Sequence, residues 1–382
     1  MKNFYPEQYL EDKSYKINHN YLSEQFDDVD AILQKIKGIV LNNDFTLGSI
    51  VDDVERLIAK EAGTKHAIGV GSGTDAIFLS LKALGIGPGD EVITTTYTFY
   101  ATIGAIVTSG AKPILCDCDD NFNLDPSKIE QKITSKTKAI VPVHWAGRPC
   151  DMNKIREIAL RHNLFVVEDA CHALQAEFYG ERCGGLGDVG CFSFHPLKNL
   201  NVWGDGGIVT TNNDYLNEKI RLIRNHGLKD RNTCLEFSYN SRLDSVQAVV
   251  AKHLIENKLD FITHKRITNS LLFDSRLKEI PQIKLLERTN SYKEVFHLYI
   301  FLVENRDELA NYLKNNGVDA KIHYPVPMHM QPAAKKYNYN RSDFKNAERL
   351  VKDTMSLPVH EFITEEQIFY VSDLIKKFFK SR

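Results

Sequence analysis

From His66 onward, short runs of β-branched and aliphatic residues alternate with longer stretches whose apolar side chains recur at helical spacing. Ala67–Val70, Glu91–Thr95, Ile114–Cys116, Ala139–Val143, Leu164–Asp169, Val189–Phe194 and Ile208–Thr211 read as buried strands, most of them bounded by glycine, proline or polar residues. Between them, Gly71-Ser-Gly-Thr74 turns into a helix with Ala76, Leu79 and Ala83 on one face, and Tyr97-Thr-Phe-Tyr-Ala-Thr102 opens another. Two more helices are predicted, one capped by Asp125 with Pro126 at its first position and one running from Asp151 to about His162. Strand and helix in alternation imply parallel βαβ construction.

The flanks read differently. Residues 1 to about 28 are polar and tyrosine-rich without periodicity, an arm expected to pack on something else. A helix is expected over Asp30–Leu41, then a loop at Phe45-Thr-Leu-Gly48. A single long helix is predicted over Asp244–Leu277, with Val246, Val250, Leu254, Leu259 and Ile262 as its buried stripe. After it come a strand over Val295–Val303, a helix over Arg306–Asn316, an extended Lys321-Ile-His-Tyr-Pro325 and a closing helix over Glu365–Phe379. The pattern predicts an arm (1–29), a large α/β domain with a mixed, mostly parallel sheet between helices (30–250), and a smaller α+β domain (251–382).

Composition removes several classes of function. With 382 residues the chain buries a large core, and its 48 basic and 50 acidic residues nearly cancel. No global field favours nucleic acid or an anionic membrane surface, and no basic appendage is present. No apolar run approaches the roughly 20 residues that span a bilayer. The first residues, Met1-Lys-Asn-Phe-Tyr-Pro, carry no apolar signal region, so a cytoplasmic protein is expected. The seven cysteines are scattered without metal spacing, which implies reduced thiols and no metal site.

The chemistry centres on Cys191-Phe-Ser-Phe-His-Pro-Leu-Lys198 and the glycines Gly204, Gly206 and Gly207. Lys198 falls on the connection between two buried strands, where partial desolvation disfavours its ammonium form and leaves more free amine to attack a carbonyl. The alternative is an ordinary loop lysine. Gly73 and Thr74 open a helix, and with Ser193 they offer N–H and hydroxyl groups suited to a phosphate; the alternative there is a simple helix cap. Asp169 ends an apolar strand, where an unpaired carboxylate is costly. Phe99 is either a ligand-stacking aromatic or a core residue. His144-Trp-Ala-Gly-Arg148 leaves the sheet at a strand's C-terminal end, where open α/β sheets place ligands, or else His144 bonds a backbone carbonyl.

These motifs together resemble the sugar aminotransferases of the DegT/DnrJ/EryC1/StrS family, and the likeness covers most of the chain. The resemblance implies an aspartate-aminotransferase-type fold and pyridoxal 5'-phosphate (PLP), in its pyridoxamine (PMP) form for one half-reaction. It assigns Lys198 the Schiff-base role and Asp169, from Glu168-Asp-Ala-Cys-His172, the bond to the pyridine nitrogen. It also places Gly73, Thr74 and Ser193 at the phosphate, and Phe99 and His172 at the cofactor ring. Tyr239-Asn-Ser-Arg242 is similar to the family's Asn-x-Arg motif, which implies a homodimer in which Asn240 reaches the partner's cofactor phosphate; a helix cap is the alternative. Substrate contacts are implied for Phe45, His144, Trp145, Arg242, His323, Tyr324 and His329. Trp145 and Arg148 depart from the Leu-Tyr-Gly-Gln of many relatives, and Gln175 stands where glycine is usual.

The resulting expectation is amino transfer, with glutamate and 2-oxoglutarate as the donor pair, to a nucleotide-linked keto-sugar in glycan biosynthesis. A free keto-sugar acid such as an oxidised octulosonate is the alternative substrate. A PLP-dependent sugar dehydratase is disfavoured because such relatives tend to carry histidine at the position of Lys198, and a non-catalytic regulator would not need the lysine, Asp169 and the phosphate loop together.

Overall fold

In a computed structural model of the protein, which describes residues 15–381, seven strands form one sheet. They are β1 (His66–Val70), β2 (Glu91–Thr95), β3 (Lys112–Cys116), β4 (Thr137–Val141), β5 (Phe165–Asp169), β6 (Val189–Ser193) and β7 (Gly207–Thr211). Their order is β1-β7-β6-β5-β4-β2-β3, and β7 alone runs antiparallel to its neighbours. Both faces are covered, which explains the almost unbroken apolar strands. Ile93 and Ile140 enter the core on one face, and Val92, Ala139 and Val141 that on the other. All seven strands match the apolar runs to within about two residues at each end.

Three expectations are corrected. The stretch after Asp125 forms only two 3₁₀ turns, Pro126–Lys128 and Glu130–Lys132. The Asp244–Leu277 helix is two helices, Ser245–Asn257 and Leu259–Leu277, interrupted at Lys258 (φ −130°, ψ −22°), whose amine bonds Asp27, Asp28 and the Gln25 carbonyl. The strand predicted from Val295 begins only at Tyr299. A helix over Ser49–Ala62 had not been anticipated; it buries Val51, Val54, Ile58 and Ala62 and stops at Gly63 in the left-handed region (φ 65°).

The C-terminal part builds an antiparallel sheet of Ile283–Leu285, Tyr299–Val303 and Thr354–Leu357. Its core joins Phe273 and Leu277 to Phe301 and to Ile368, Val371 and Ile375 of the closing helix Glu365–Lys380. The arm's first fourteen residues lie outside the described residues. From Tyr15 on it runs along the C-terminal part, with Ile17 buried in that core and bridged to Val318.

Candidate active site

The C-terminal ends of the parallel strands, the β6–β7 connection and the C-terminal part enclose a cavity of about 1000 Å³. Lys198 lies in its wall. The turn that carries it is closed by Lys198 N–H donating to the His195 carbonyl at 2.8 Å, and the Lys198 carbonyl accepts from Asn201 Nδ2 (3.0 Å) and from the Tyr21 hydroxyl (3.3 Å). Tyr21 belongs to the arm, stacks on His360 and lies under the Arg266 guanidinium. Burial pushes the Lys198 pKa down, with Cys171 and Asp169 pulling the other way, so the amine is enriched in its nucleophilic form.

Asp169 stands at the end of β5 and is buried. Its Oδ2 accepts from Thr102 Oγ1 at 2.7 Å, and Thr102 is linked to Thr98 at the same distance. Oδ1 accepts from the Cys171 backbone N–H at 3.3 Å. These bonds hold a buried carboxylate, with Asp169 and Lys198 lining one cavity. Neighbouring Glu168 points into the core instead, which follows from strand alternation.

The helix Gly73–Ala83 begins at the same cavity, and Ser72 Oγ caps it by accepting from Asp75 N–H at 3.1 Å. The N–H groups of Gly73 and Thr74 have no intrahelical acceptor. A Cβ at Gly73 would lie 2.6 Å from Ser193 Cβ and 2.9 Å from Cys171 Sγ, and one at Gly207 only 2.3 Å from the Ser72 carbonyl. Helix start, Ser193 and β7 therefore form a close-packed cradle of N–H and hydroxyl donors, the donor set a phosphate ester takes. With an amine to bind an aldehyde and a buried carboxylate for a ring nitrogen, the residues present fit PLP.

His172, Phe99, His323 and Tyr324 also line the cavity. His172 Nδ1 accepts from Ala146 N–H (3.3 Å), and burial together with Lys198 lowers its pKa well below the usual imidazole value. Burial brings His323 to about 4, so both rings are neutral at physiological pH. The wall further includes Thr102, Cys171, Arg266 and His297, none of which the motifs had singled out.

Three expected substrate contacts are corrected. His144 is fully buried in the core, where Nδ1 accepts from Cys150 N–H (3.1 Å) and Nε2–H donates to Glu168 (2.9 Å). With Cys183 these two place potential ligand atoms within 4.8 Å of one another, but the Glu168 oxygens already accept from Gly184, Leu186 and Gly187 N–H. Trp145 is buried behind the wall, its ring against Tyr324 (5.1 Å) and His172 (5.2 Å). His329 bonds Thr96 (2.7 Å) and Glu348 (3.2 Å) and stacks on Phe344, away from the cavity. Arg148 pairs with Glu294 at 2.7 Å and has a structural role.

Phe45, Asn240 and Arg242 lie outside the cavity of their own chain; Phe45 and Asn240 are exposed, and Arg242 bonds Asn225. The segment is nevertheless tied to the cradle, since Ser241 Oγ accepts from Gly71 N–H and donates to Asp75. Gln175 has φ 66°, a left-handed conformation that glycine adopts without strain, and its amide bonds Glu61 and Asp260.

Residues 27–376 match the DegT/DnrJ/EryC1/StrS aminotransferase family. The chain is 40% identical over 363 residues, 94% of its length and 97% of the relative's, to the "Pleiotropic regulatory protein" of Geobacillus stearothermophilus. It is 37% identical over 334 residues, covering 87% and 88% of the two chains, to the dTDP-3-amino-3,4,6-trideoxy-alpha-D-glucose transaminase of Streptomyces venezuelae. The crystal structure of S. venezuelae DesV in complex with a ketimine intermediate superimposes with a TM-score of 0.91 at 35% identity, over 95% of this chain and 98% of that one.

Proposed function

The chain belongs to the DegT/DnrJ/EryC1/StrS aminotransferase family and is a PLP-dependent sugar aminotransferase, and from that premise we propose that it aminates a nucleotide-linked keto-sugar with glutamate as donor. The observation that carries the reading is one cavity holding an amine with a lowered pKa, a hydrogen-bonded buried carboxylate and an N–H-lined cradle. When bound, PLP supplies a carbonyl that takes up an amino group and an electron-withdrawing ring that stabilises negative charge on the adjacent carbon.

The chain's residues do the rest. Lys198 would hold the cofactor by its aldehyde carbon and, as a free amine, would move the proton between the donor's Cα and that carbon. Asp169, held by Thr102, bonds the ring nitrogen and keeps it protonated. Gly73, Thr74 and Ser193 bind the phosphate, and Phe99 and His172 flank the ring. His323 and Tyr324 meet the sugar.

Asn240 completes the phosphate site of a second copy, and Arg242 and Phe45 serve that copy's substrate, so the working unit is a homodimer. Supporting this, Asn240 is exposed beside Leu235, Tyr239 and a fully exposed Phe237, an apolar surface suited to a partner. The enzyme works in the cytosol: the cysteines are all unpaired and no helix of the described residues is long and apolar enough to cross a membrane.

The name of the Geobacillus relative favours a regulatory reading. Retention of Lys198, Asp169 and the cradle together favours catalysis, since a regulator needs none of the three. The test is the reverse reaction: purified holoenzyme with 2-oxoglutarate, offered amino-sugar nucleotides and free amino sugars, should form glutamate with one or more nucleotide-linked amines. Turnover of free amino-sugar acids alone would move the substrate to the oxidised-octulosonate class, and no turnover with any amine would support the regulatory reading.

A further inference from the structure

His297 lines the cavity with Lys198, and its ring lies 4.1 Å from that of His172, centroid to centroid, at 30°. Its neighbours decide which nitrogen holds the proton. Asn199, the residue after Lys198, donates through Nδ2 to the Val295 carbonyl at 3.1 Å. Its Oδ1 then faces His297 Nδ1 at 3.3 Å, and an amide oxygen only accepts, so the proton is on Nδ1. Turning the amide over would set two carbonyl oxygens against each other at Val295. The lone pair of His297 is therefore on Nε2, which no described residue bonds. Burial, His172 and Lys198 hold the pKa well below the usual imidazole value, and the ring stays neutral.

His172 has the opposite tautomer, because Nδ1 accepts from Ala146 N–H and the proton is left on Nε2. The wall thus offers one imidazole donor and one imidazole acceptor. A ketone has no proton to give to His297, the α-amino group of an amino-acid donor is committed to the cofactor carbon, and that donor's carboxylates, which only accept, are repelled by the lone pair. A hydroxyl is the group that matches.

We propose that His297 Nε2 accepts a hydrogen bond from a hydroxyl of the sugar close to the reacting carbon, which makes His297 a specificity residue for the sugar half of the reaction and not for the amino-acid half. Asn199 is its positioning residue. The inference rests on the keto-sugar reading above.

The two halves are separated by following cofactor absorbance in holoenzyme, first with L-glutamate and then with the fastest amino-sugar nucleotide of the panel. His297→Leu leaves a buried sugar hydroxyl without an acceptor, and should lower kcat/KM of the sugar half about ten- to a hundredfold while changing the glutamate half by less than about twofold. His297→Gln, which keeps an acceptor, should recover most of the loss. In ¹⁵N spectra of histidine-labelled protein, His297 should be the Nδ1–H tautomer, and Asn199→Leu should abolish that preference. Equal losses in both halves, an unchanged sugar half or an Nε2–H signal for His297 would each overturn the inference while leaving the aminotransferase reading in place. A wild-type enzyme inert toward every amino sugar would remove that reading and this inference with it.

Discussion

Gly207→Ala tests whether the Ser72–Thr74 turn is the phosphate cradle. Gly207 opens β7, pairs with Val70 on one side and Ser193 on the other, and faces the back of the turn. The new methyl would lie 2.3 Å from both C and O of Ser72 and 2.8 Å from Gly73 N. These are backbone atoms, with no side-chain rotamer to relieve the clash, and ordinary carbon contacts lie near 3.5–4.0 Å, so the turn must move by about 1 Å. Overpacking of this kind costs about 1–3 kcal/mol. If the displaced atoms are those that bind the phosphate, a similar part of the binding energy is lost, and the PLP dissociation constant should rise about tenfold or more. The assay is absorbance titration of cofactor-free protein with PLP, paired with denaturant unfolding of the same protein. Gly38→Ala is the control: it lies in the helix Val29–Leu41 with nothing within 4 Å of the added methyl, and should gain about 0.5–1 kcal/mol with unchanged PLP affinity. A destabilised Gly207→Ala protein with wild-type PLP affinity would refute the assignment, because the turn would then have moved without the phosphate noticing.

Borohydride reduction of the holoenzyme should place a single pyridoxyl group on Lys198 by mass spectrometry, and in cofactor-free protein pyridoxal should label Lys198 ahead of surface lysines at pH 8. The sign follows from the lowered pKa: between that value and about 10.5 the buried lysine is mostly free amine while ordinary lysines are mostly protonated. Asp169→Asn should keep PLP binding but lose on the order of a hundredfold or more in turnover, whereas Thr102→Val, which strips a donor from the buried carboxylate, should cost about 1–3 kcal/mol in denaturant unfolding and less in rate; near wild-type turnover for Asp169→Asn would remove it from the site. If Asn240 serves the partner's site, mixing inactive Lys198→Ala with inactive Asn240→Ala, Arg242→Ala chains under subunit exchange should restore roughly a quarter of wild-type activity by site counting, and no recovery despite demonstrated exchange would return Asn240 to its own chain.

What the sequence determined by itself is what short-range pattern encodes. Strand runs, the Ser72 cap, the lysine turn and the carboxylate ending β5 all rest on neighbours within a few positions, and the architecture they imply is the one the solved relatives share. The Ser49–Ala62 helix is legible in the same way, from the helical spacing of Val51, Val54, Ile58 and Ala62. Partnerships across the chain were decided only in three dimensions. Thr102 meets Asp169 from 67 residues away, Tyr21 reaches the Lys198 carbonyl across 177, and His297 faces Asn199 across 98. No local spacing marks such pairs. His144, Trp145 and His329 show the converse: each has the chemistry of a site residue, yet burial against Glu168, His172 or Phe344 turns it into core. A side chain's chemistry is written in the sequence, but whether it meets substrate or protein depends on which surfaces the packed sheets and the arm leave open, and that is a property of the whole fold.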